Sequence, residues 1–122
     1  MGWRQLRKSI AGRSLSVGQK VAIGKAFKRC GCGLIAIRVG TKDAECVRYT
    51  KDIAKTILDN HDSIEVQEAD QINMSTDISI YTNPGCKMLA DDLAVILGAT
   101  EIVEENYGRY HMIICIRAKP IA

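Results

Sequence analysis

The apolar residues after position 33 are spaced so that strands and helices alternate along the chain. Residues 34–39 are almost entirely apolar, which is typical of a strand buried on both faces. Between residues 43 and 59 the apolar positions recur every three or four residues, and this period predicts an amphipathic helix. Residues 64–69 alternate apolar with polar side chains, which predicts a strand with one face in solvent.

The second half of the chain repeats this order. Residues 78–81 predict a strand. Asn83 followed by Pro84 predicts that a helix begins there, because an asparagine side chain caps a helix and proline suits its first position. Gly98 predicts the end of that helix. Two short strands complete the pattern around a turn, at residues 100–105 and 110–117.

The predicted order of elements is therefore strand, helix, strand, strand, helix, strand, strand, and its two halves look like an internal duplication. Two such halves pair into an α/β (α+β) fold: a split βαβ, ferredoxin-like two-layer sandwich with both helices on one face of a mixed sheet. Right-handed crossover connections leave few other arrangements. We expect this βαββαββ core domain to cover residues 33–122, after a basic helical extension over residues 1–32.

The basic extension predicts two short helices. In the first, apolar residues recur at Trp3, Leu6 and Ile10, which gives one apolar stripe. Ser16 and Gln19 have the spacing of a capping box, which predicts that the second helix begins there. Two helices with a basic outer face are compatible with docking on DNA.

Charge divides the chain as sharply as hydropathy does. The net charge is only +3, but residues 1–42 contain ten lysines or arginines and no acidic residue, whereas residues 43–122 contain seven basic and fourteen acidic residues. A basic segment of this kind favours binding to nucleic acid or another polyanion. The phosphate contacts would come from Arg4, Arg7, Lys8, Arg13, Lys20, Lys25, Lys28 and Arg29.

The leading functional prediction is therefore a non-catalytic binding or assembly protein whose basic N-terminal segment contacts nucleic acid or another polyanion. The charge asymmetry has a second interpretation, in which this segment docks on an acidic surface of its own chain or of a neighbouring subunit. In the intersubunit case the protein is a structural homo-oligomer. Both interpretations stay open at this point, because each gives the basic side chains an anionic surface.

The composition is that of a globular protein and narrows its class further. The chain has 122 residues, of which 47% are apolar and 25% are charged. No stretch predicts a membrane span, and arginine and lysine interrupt the first apolar residues, which argues against a signal peptide. Five cysteines without an export signal favour a reducing compartment, so we expect a cytoplasmic protein.

The cysteines and histidines are scattered along the sequence. Cys30 and Cys32 are two residues apart, but no second close pair follows, and neither histidine has an evident partner. The spacing therefore predicts no metal site and no cofactor. It favours cysteines that act as small buried apolar residues.

The second half contains a strand that ends in tyrosine, then a turn with glycine, then a helix rich in alanine and leucine. These features are Tyr81, the turn Asn83-Pro84-Gly85, and the pairs Leu89-Ala90, Leu93-Ala94 and Leu97-Gly98. In this order they resemble the small C-terminal domain of LytR-type cell-envelope proteins, and the elements from about residue 34 to 117 also fit. The resemblance implies that this part of the chain has the fold of those domains and is a non-catalytic binding or assembly module.

Residues 80–86 indicate a different chemistry. The sequence around Cys86 is similar to the strand–cysteine–helix junction of glutaredoxins and arsenate reductases. A thiol at a helix N-terminus can have its thiolate stabilised by the helix dipole. No second cysteine stands at Leu89, so there is no Cys-x-x-Cys pair. A small thiol-redox enzyme that uses Cys86 is therefore a further alternative.

Tyr107, Arg109 and Tyr110 form a compact aromatic and basic cluster in the last predicted hairpin. Such a cluster can stack on a base or nucleotide, which makes these three residues candidate ligand contacts. The alternative is an amphipathic edge of the hairpin that binds no ligand.

Overall fold

Three α-helices and five β-strands alternate along the part of the chain that the computed structural model describes, residues 13–40, 43–68, 78–99 and 101–117. In chain order they are α1 (Val17–Arg29), β1 (Ile35–Val39), α2 (Ala44–Leu58), β2 (Ile64–Glu68), β3 (Ile78–Thr82), α3 (Lys87–Leu97), β4 (Glu101–Glu104) and β5 (Met112–Ile116). The predicted order of strands and helices after residue 33 is confirmed. None of the helices in these ranges is long and apolar enough to cross a bilayer.

The five strands form one mixed sheet in the order β2-β1-β5-β3-β4. β1 pairs in parallel with β2, and β3 pairs in parallel with β4. β5 lies between these halves, parallel to β1 and antiparallel to β3. The predicted α+β class with a mixed sheet is confirmed. The ferredoxin-like detail is not confirmed, because a split βαβ unit has another strand between its parallel strands, whereas β1 and β2 are direct neighbours.

The helices pack on one face of this sheet. Alternate strand residues, such as Ile37, Ile80 and Ile114, are fully buried in one hydrophobic cluster with apolar residues of all three helices. The opposite face carries a smaller buried cluster with tyrosines packed against it. This second cluster consists of Ala36, Ile113 and Cys115, with Tyr81, Tyr107 and Tyr110 around them.

Helix α1 belongs to the same core although its outer face is basic. The predicted capping box is present: Gln19 donates its backbone N–H to Ser16 Oγ (3.0 Å), and Ser16 donates its own to Gln19 Oε1 (2.8 Å). Ile23 and Ala26 are buried in the main hydrophobic cluster. The described part of the basic segment therefore packs on the body of the protein. The helix predicted within the first ten residues lies outside the described ranges.

The predicted helix start after β3 is also present. The Asn83 side chain accepts the backbone N–H of Cys86 at 3.0 Å, and Pro84 opens a 3₁₀ turn that leads into α3. At the other end, Gly98 adopts a φ of +74°, a left-handed conformation that would strain a residue with a Cβ atom. The cap at Asn83 therefore starts the helical segment directly after β3, and Gly98 ends it.

A salt bridge attaches the segment before α1 to helix α2. Arg13 donates from its backbone N–H to Glu45 Oε2 and from Nη2 to Glu45 Oε1, both at 2.8 Å, and its guanidinium lies over the Tyr49 ring. The two charged side chains are only 15% and 13% exposed, so water screens the pair weakly. The hydrogen bond from Arg13 lowers the pKa of the Glu45 carboxyl below its ordinary value.

We expect Glu45→Gln to lower the free energy of unfolding at neutral pH by about 1–3 kcal/mol, because it removes the charge from a weakly hydrated pair. The wild-type advantage is complete above the ordinary carboxyl pKa of 4.5 and should vanish as the pH falls through the lowered pKa of Glu45. Urea unfolding at neutral and at acidic pH measures the difference in free energy of unfolding between the wild type and the variant. Glu104→Gln, at an exposed carboxylate, is the control. A loss that is equal at both pH values would contradict this account.

Candidate functional site

Three chemically reactive side chains meet at one edge of the sheet: Cys32, Cys86 and His111. The two Sγ atoms are 2.9 Å apart, and both sulfurs and a ring nitrogen of His111 lie within 4.8 Å of one another. Both cysteines are free thiols. They are 54 positions apart in the sequence, so only the fold brings them together.

The strand directions explain why these residues meet. Cys32 precedes β1, His111 precedes β5 and Cys86 follows β3. Because β1 is parallel and β3 antiparallel to β5, the beginnings of β1 and β5 and the end of β3 lie at the same edge. Two backbone hydrogen bonds fix this edge: His111 N–H donates to Leu34 O at 2.9 Å, and Asn83 N–H donates to His111 O at 3.0 Å.

Gly33 contacts both histidines of the chain. Its N–H donates to Nδ1 of His111 at 3.0 Å, and its carbonyl oxygen accepts from Nε2 of His61 at 2.7 Å. The His61 ring stacks on Phe27 of α1, with ring centroids 5.3 Å apart. A Cβ atom at position 33 would overlap the His111 ring. The lack of a side chain at Gly33 therefore allows His111 to lie beside the thiols.

The two thiols differ in exposure. Cys86 is buried, with 5% of its surface exposed, whereas Cys32 is half-buried. Burial raises the pKa of the Cys32 thiol above its ordinary value, and the hydrogen bond with Cys86 raises it further. Two negative sulfurs at this distance would repel one another. The pair is therefore favoured as neutral thiols, as a disulfide or around a cation.

The sequence pattern identified Cys86 but not its partners. In the sequence, Leu89 stands where a Cys-x-x-Cys pair would have its second cysteine, and no other cysteine is near Cys86. The structure supplies Cys32 from before the first strand and His111 from before the last. The spacing of cysteines and histidines along the sequence predicted no metal site, whereas this cluster has donor atoms that suit a metal ion. Only the order of strands in the sheet would have revealed it.

Three basic residues that were predicted to bind a polyanion contact carboxylates of the same chain. Lys20 Nζ lies 3.7 Å from Asp52, and Arg29 Nη2 lies 3.4 Å from Asp92. Arg13 forms the salt bridge to α2 described above. These are the contacts expected when a basic segment docks on an acidic surface of its own chain.

The other predicted polyanion contacts are either exposed or outside the described ranges. Lys25 and Lys28 are exposed on α1. Outside the described residues lie Arg4, Arg7 and Lys8. Within the described part of the chain, a polyanion would therefore meet mainly the outer face of α1.

The candidate ligand contacts of the last hairpin bind other side chains of the protein. Arg109 Nη2 donates to the two carboxylate oxygens of Glu65 at 2.7 and 2.8 Å, and Tyr110 OH donates to Glu65 Oε2 at 2.7 Å. The hydrogen bond from Tyr110 lowers the pKa of Glu65. The Tyr107 ring packs edge-on against Tyr81, with centroids 5.7 Å apart. A ligand here would replace these contacts, so its binding stays a prediction.

Comparison with known proteins adds no assignment. No protein-family model, curated protein or solved structure matches this chain. The resemblance to LytR-type C-terminal domains therefore stays a prediction.

Gly33→Ala is expected to displace the His111 ring and to lower the free energy of unfolding by about 1–3 kcal/mol, because the new methyl group overlaps the ring and breaks its hydrogen bond. Gly31→Ala is the matched control, since a Cβ atom there meets nothing within 4 Å. Urea unfolding measures the stability, and the NMR signals of the His111 ring report its position. Equal effects of the two substitutions would refute the steric role of Gly33.

Proposed function

We propose that this protein is a dithiol–disulfide redox protein in which Cys32 and Cys86 form a reversible disulfide. The observation that carries the proposal is the distance of 2.9 Å between the two sulfurs. A disulfide bond is about 2.05 Å long, so the sulfurs need to approach by only about 0.9 Å. Disulfides of cytosolic proteins are usually transient and catalytic, so a reversible couple agrees with the cytoplasmic location that we propose.

The difference in exposure assigns the roles of the two thiols. Cys32 is half-buried and is the sulfur that a disulfide substrate can reach. Its thiolate attacks the substrate, the substrate S–S bond breaks, and one substrate thiolate leaves. The buried Cys86 then attacks the Cys32 sulfur of the mixed disulfide and releases the second substrate thiolate. Two electrons pass to the substrate, and the two thiol protons pass to the released thiolates.

His111 supports this exchange from beside the sulfurs. One of its ring nitrogens lies within 4.8 Å of both. Because Nδ1 accepts the Gly33 N–H, the neutral ring carries its own proton on Nε2. An imidazole beside a thiol can take part in the proton transfer by which that thiol becomes the attacking thiolate.

Two further buried thiols, Cys46 and Cys115, lie in the hydrophobic clusters on the two faces of the sheet. Cys46 is part of the main hydrophobic cluster, where burial raises the pKa of its thiol. Cys115 lies on the opposite face of the sheet, where burial raises the pKa to about 11. These two have the character of small buried apolar residues that the sequence predicted. They also provide control positions for experiments on the Cys32–Cys86 pair.

Oxidised glutathione, added to the reduced protein together with a metal chelator, is expected to produce a disulfide between Cys32 and Cys86. Mass spectrometry checks for the loss of the two thiol hydrogens and for the linked peptides. Cys86→Ser should instead stop at a mixed disulfide with glutathione on the accessible Cys32, because its resolving thiol is gone. Cys32→Ser should form neither product, and Cys115→Ser should behave like the wild type.

A disulfide between Cys30 and Cys32 as the main product would contradict the proposed couple. A mixed disulfide that forms as readily on Cys32→Ser as on Cys86→Ser would contradict the assigned roles. Circular dichroism of each variant verifies that the substitution has left the fold intact.

The outer face of α1 favours a second function, the binding of nucleic acid or another polyanion. Lys25, Lys28 and Arg29 are exposed there. Lysines and arginines on one helix face can neutralise successive phosphates and release their counterions. Self-association on a neighbour's acidic surface would use the same side chains, so the homo-oligomer remains the competing proposal.

Lys25→Glu combined with Lys28→Glu is expected to weaken binding to single-stranded DNA by about tenfold or more and to reduce its salt dependence. Lys51→Glu with Lys55→Glu, two exposed lysines of α2, makes the same charge change elsewhere and is the control. Fluorescence anisotropy at increasing salt measures the affinity, and light scattering at the same salt concentrations measures the mass. Equal losses in the two double variants would rule out a role of α1 beyond net charge.

A further inference from the structure

We propose that the reduced protein binds a zinc ion, with Cys32 Sγ, Cys86 Sγ and one ring nitrogen of His111 as its ligands. The site consists of the same residues as the proposed redox couple. It does not depend on that function, because zinc binding changes no oxidation state. It does require both thiols to be reduced.

The kind and the spacing of the donor atoms both suit zinc. Cysteine sulfur and histidine nitrogen are typical zinc ligands, whereas magnesium and calcium prefer oxygen. The three donors lie within 4.8 Å of one another. Zinc–sulfur bonds of about 2.3 Å in a tetrahedron place two thiolates about 3.8 Å apart. The sulfurs, now 2.9 Å apart, therefore need to separate by about 0.9 Å.

A divalent cation also resolves the electrostatic problem of this pair. Cys86 is buried and Cys32 is half-buried, so water stabilises two neighbouring thiolates poorly. A metal ion between the sulfurs balances both negative charges, and a thiol that coordinates a metal loses its proton. The close approach that disfavours two free thiolates therefore favours a bound cation.

Coordination by His111 requires a change of one hydrogen bond. The Nδ1 atom now accepts the N–H of Gly33. A zinc ion at Nδ1 takes the place of that hydrogen bond, and a zinc ion at Nε2 moves the ring proton to Nδ1, which can then no longer accept. In either case one hydrogen bond is exchanged for a zinc–nitrogen bond, which is the stronger interaction.

Three protein ligands leave one tetrahedral position for water or for an added ligand. Within the described ranges the cluster comprises these three donors. Its accessible side is formed by His111, which is exposed, and by Cys32, the less buried of the two sulfurs. Three protein ligands with an open fourth position are typical of zinc ions that bind exogenous ligands.

The test is a titration of the fully reduced protein with zinc chloride against a chromophoric chelator. We expect the wild type to bind one zinc ion per chain. The zinc affinity should fall by at least about 100-fold in Cys32→Ser and Cys86→Ser, and by about 10- to 100-fold in His111→Ala. Cys115→Ala, on the opposite sheet face, should match the wild type. Cobalt(II) in place of zinc should give thiolate-to-cobalt charge-transfer absorption only in the proteins that keep both thiols.

Equal zinc affinity of the wild type and Cys32→Ser would overturn the site, and so would unchanged affinity in His111→Ala. Should Cys86→Ser fail to fold, alkylation of the wild type gives an independent measure. Zinc should slow the modification of Cys32 by about tenfold or more, and an unchanged rate overturns the proposal. The redox experiment contains a chelator, whereas this one contains no disulfide, so the two proposals fail separately.

Discussion

The pairing of β5 with both halves of the sheet is the constraint on which the rest of the structure depends. It is parallel to β1 on one side and antiparallel to β3 on the other. This arrangement joins two strand–helix–strand halves into one core and turns the end of β3 toward the beginnings of β1 and β5. The thiols and the imidazole meet because of strand direction, and their separation in the sequence does not matter.

Opposite charges join the N-terminal segment to the helices that pack on this sheet. Arg13 and Lys20 contact carboxylates of α2, and Arg29 contacts Asp92 of α3. Helix α1 also bears Phe27, whose ring stacks on the histidine that binds the Gly33 carbonyl. The basic segment thus contributes to the surroundings of the thiols as well as to the charge of the surface. Through these contacts, helix α1 is physically connected to the thiol site.

Local structure was predictable from the sequence because its causes are local. The capping box of Ser16 and Gln19 and the helix start at Asn83 each depend on a few neighbouring residues, and both are present. The direct pairing of β1 with β2 was not predicted, since strand order depends on packing across the whole chain. For the same reason Cys86 stood out in the sequence, whereas its contact with Cys32 did not.

The central position of β5 has a consequence for synthesis on the ribosome. Of the five strands it is the last to be translated, yet both halves of the sheet pair with it. While the nascent chain still lacks this strand, the β1 and β3 halves have no shared partner, and the sulfurs of Cys32 and Cys86 have no scaffold that holds them together. Translation order therefore delays the thiol contact until the sheet can close around it.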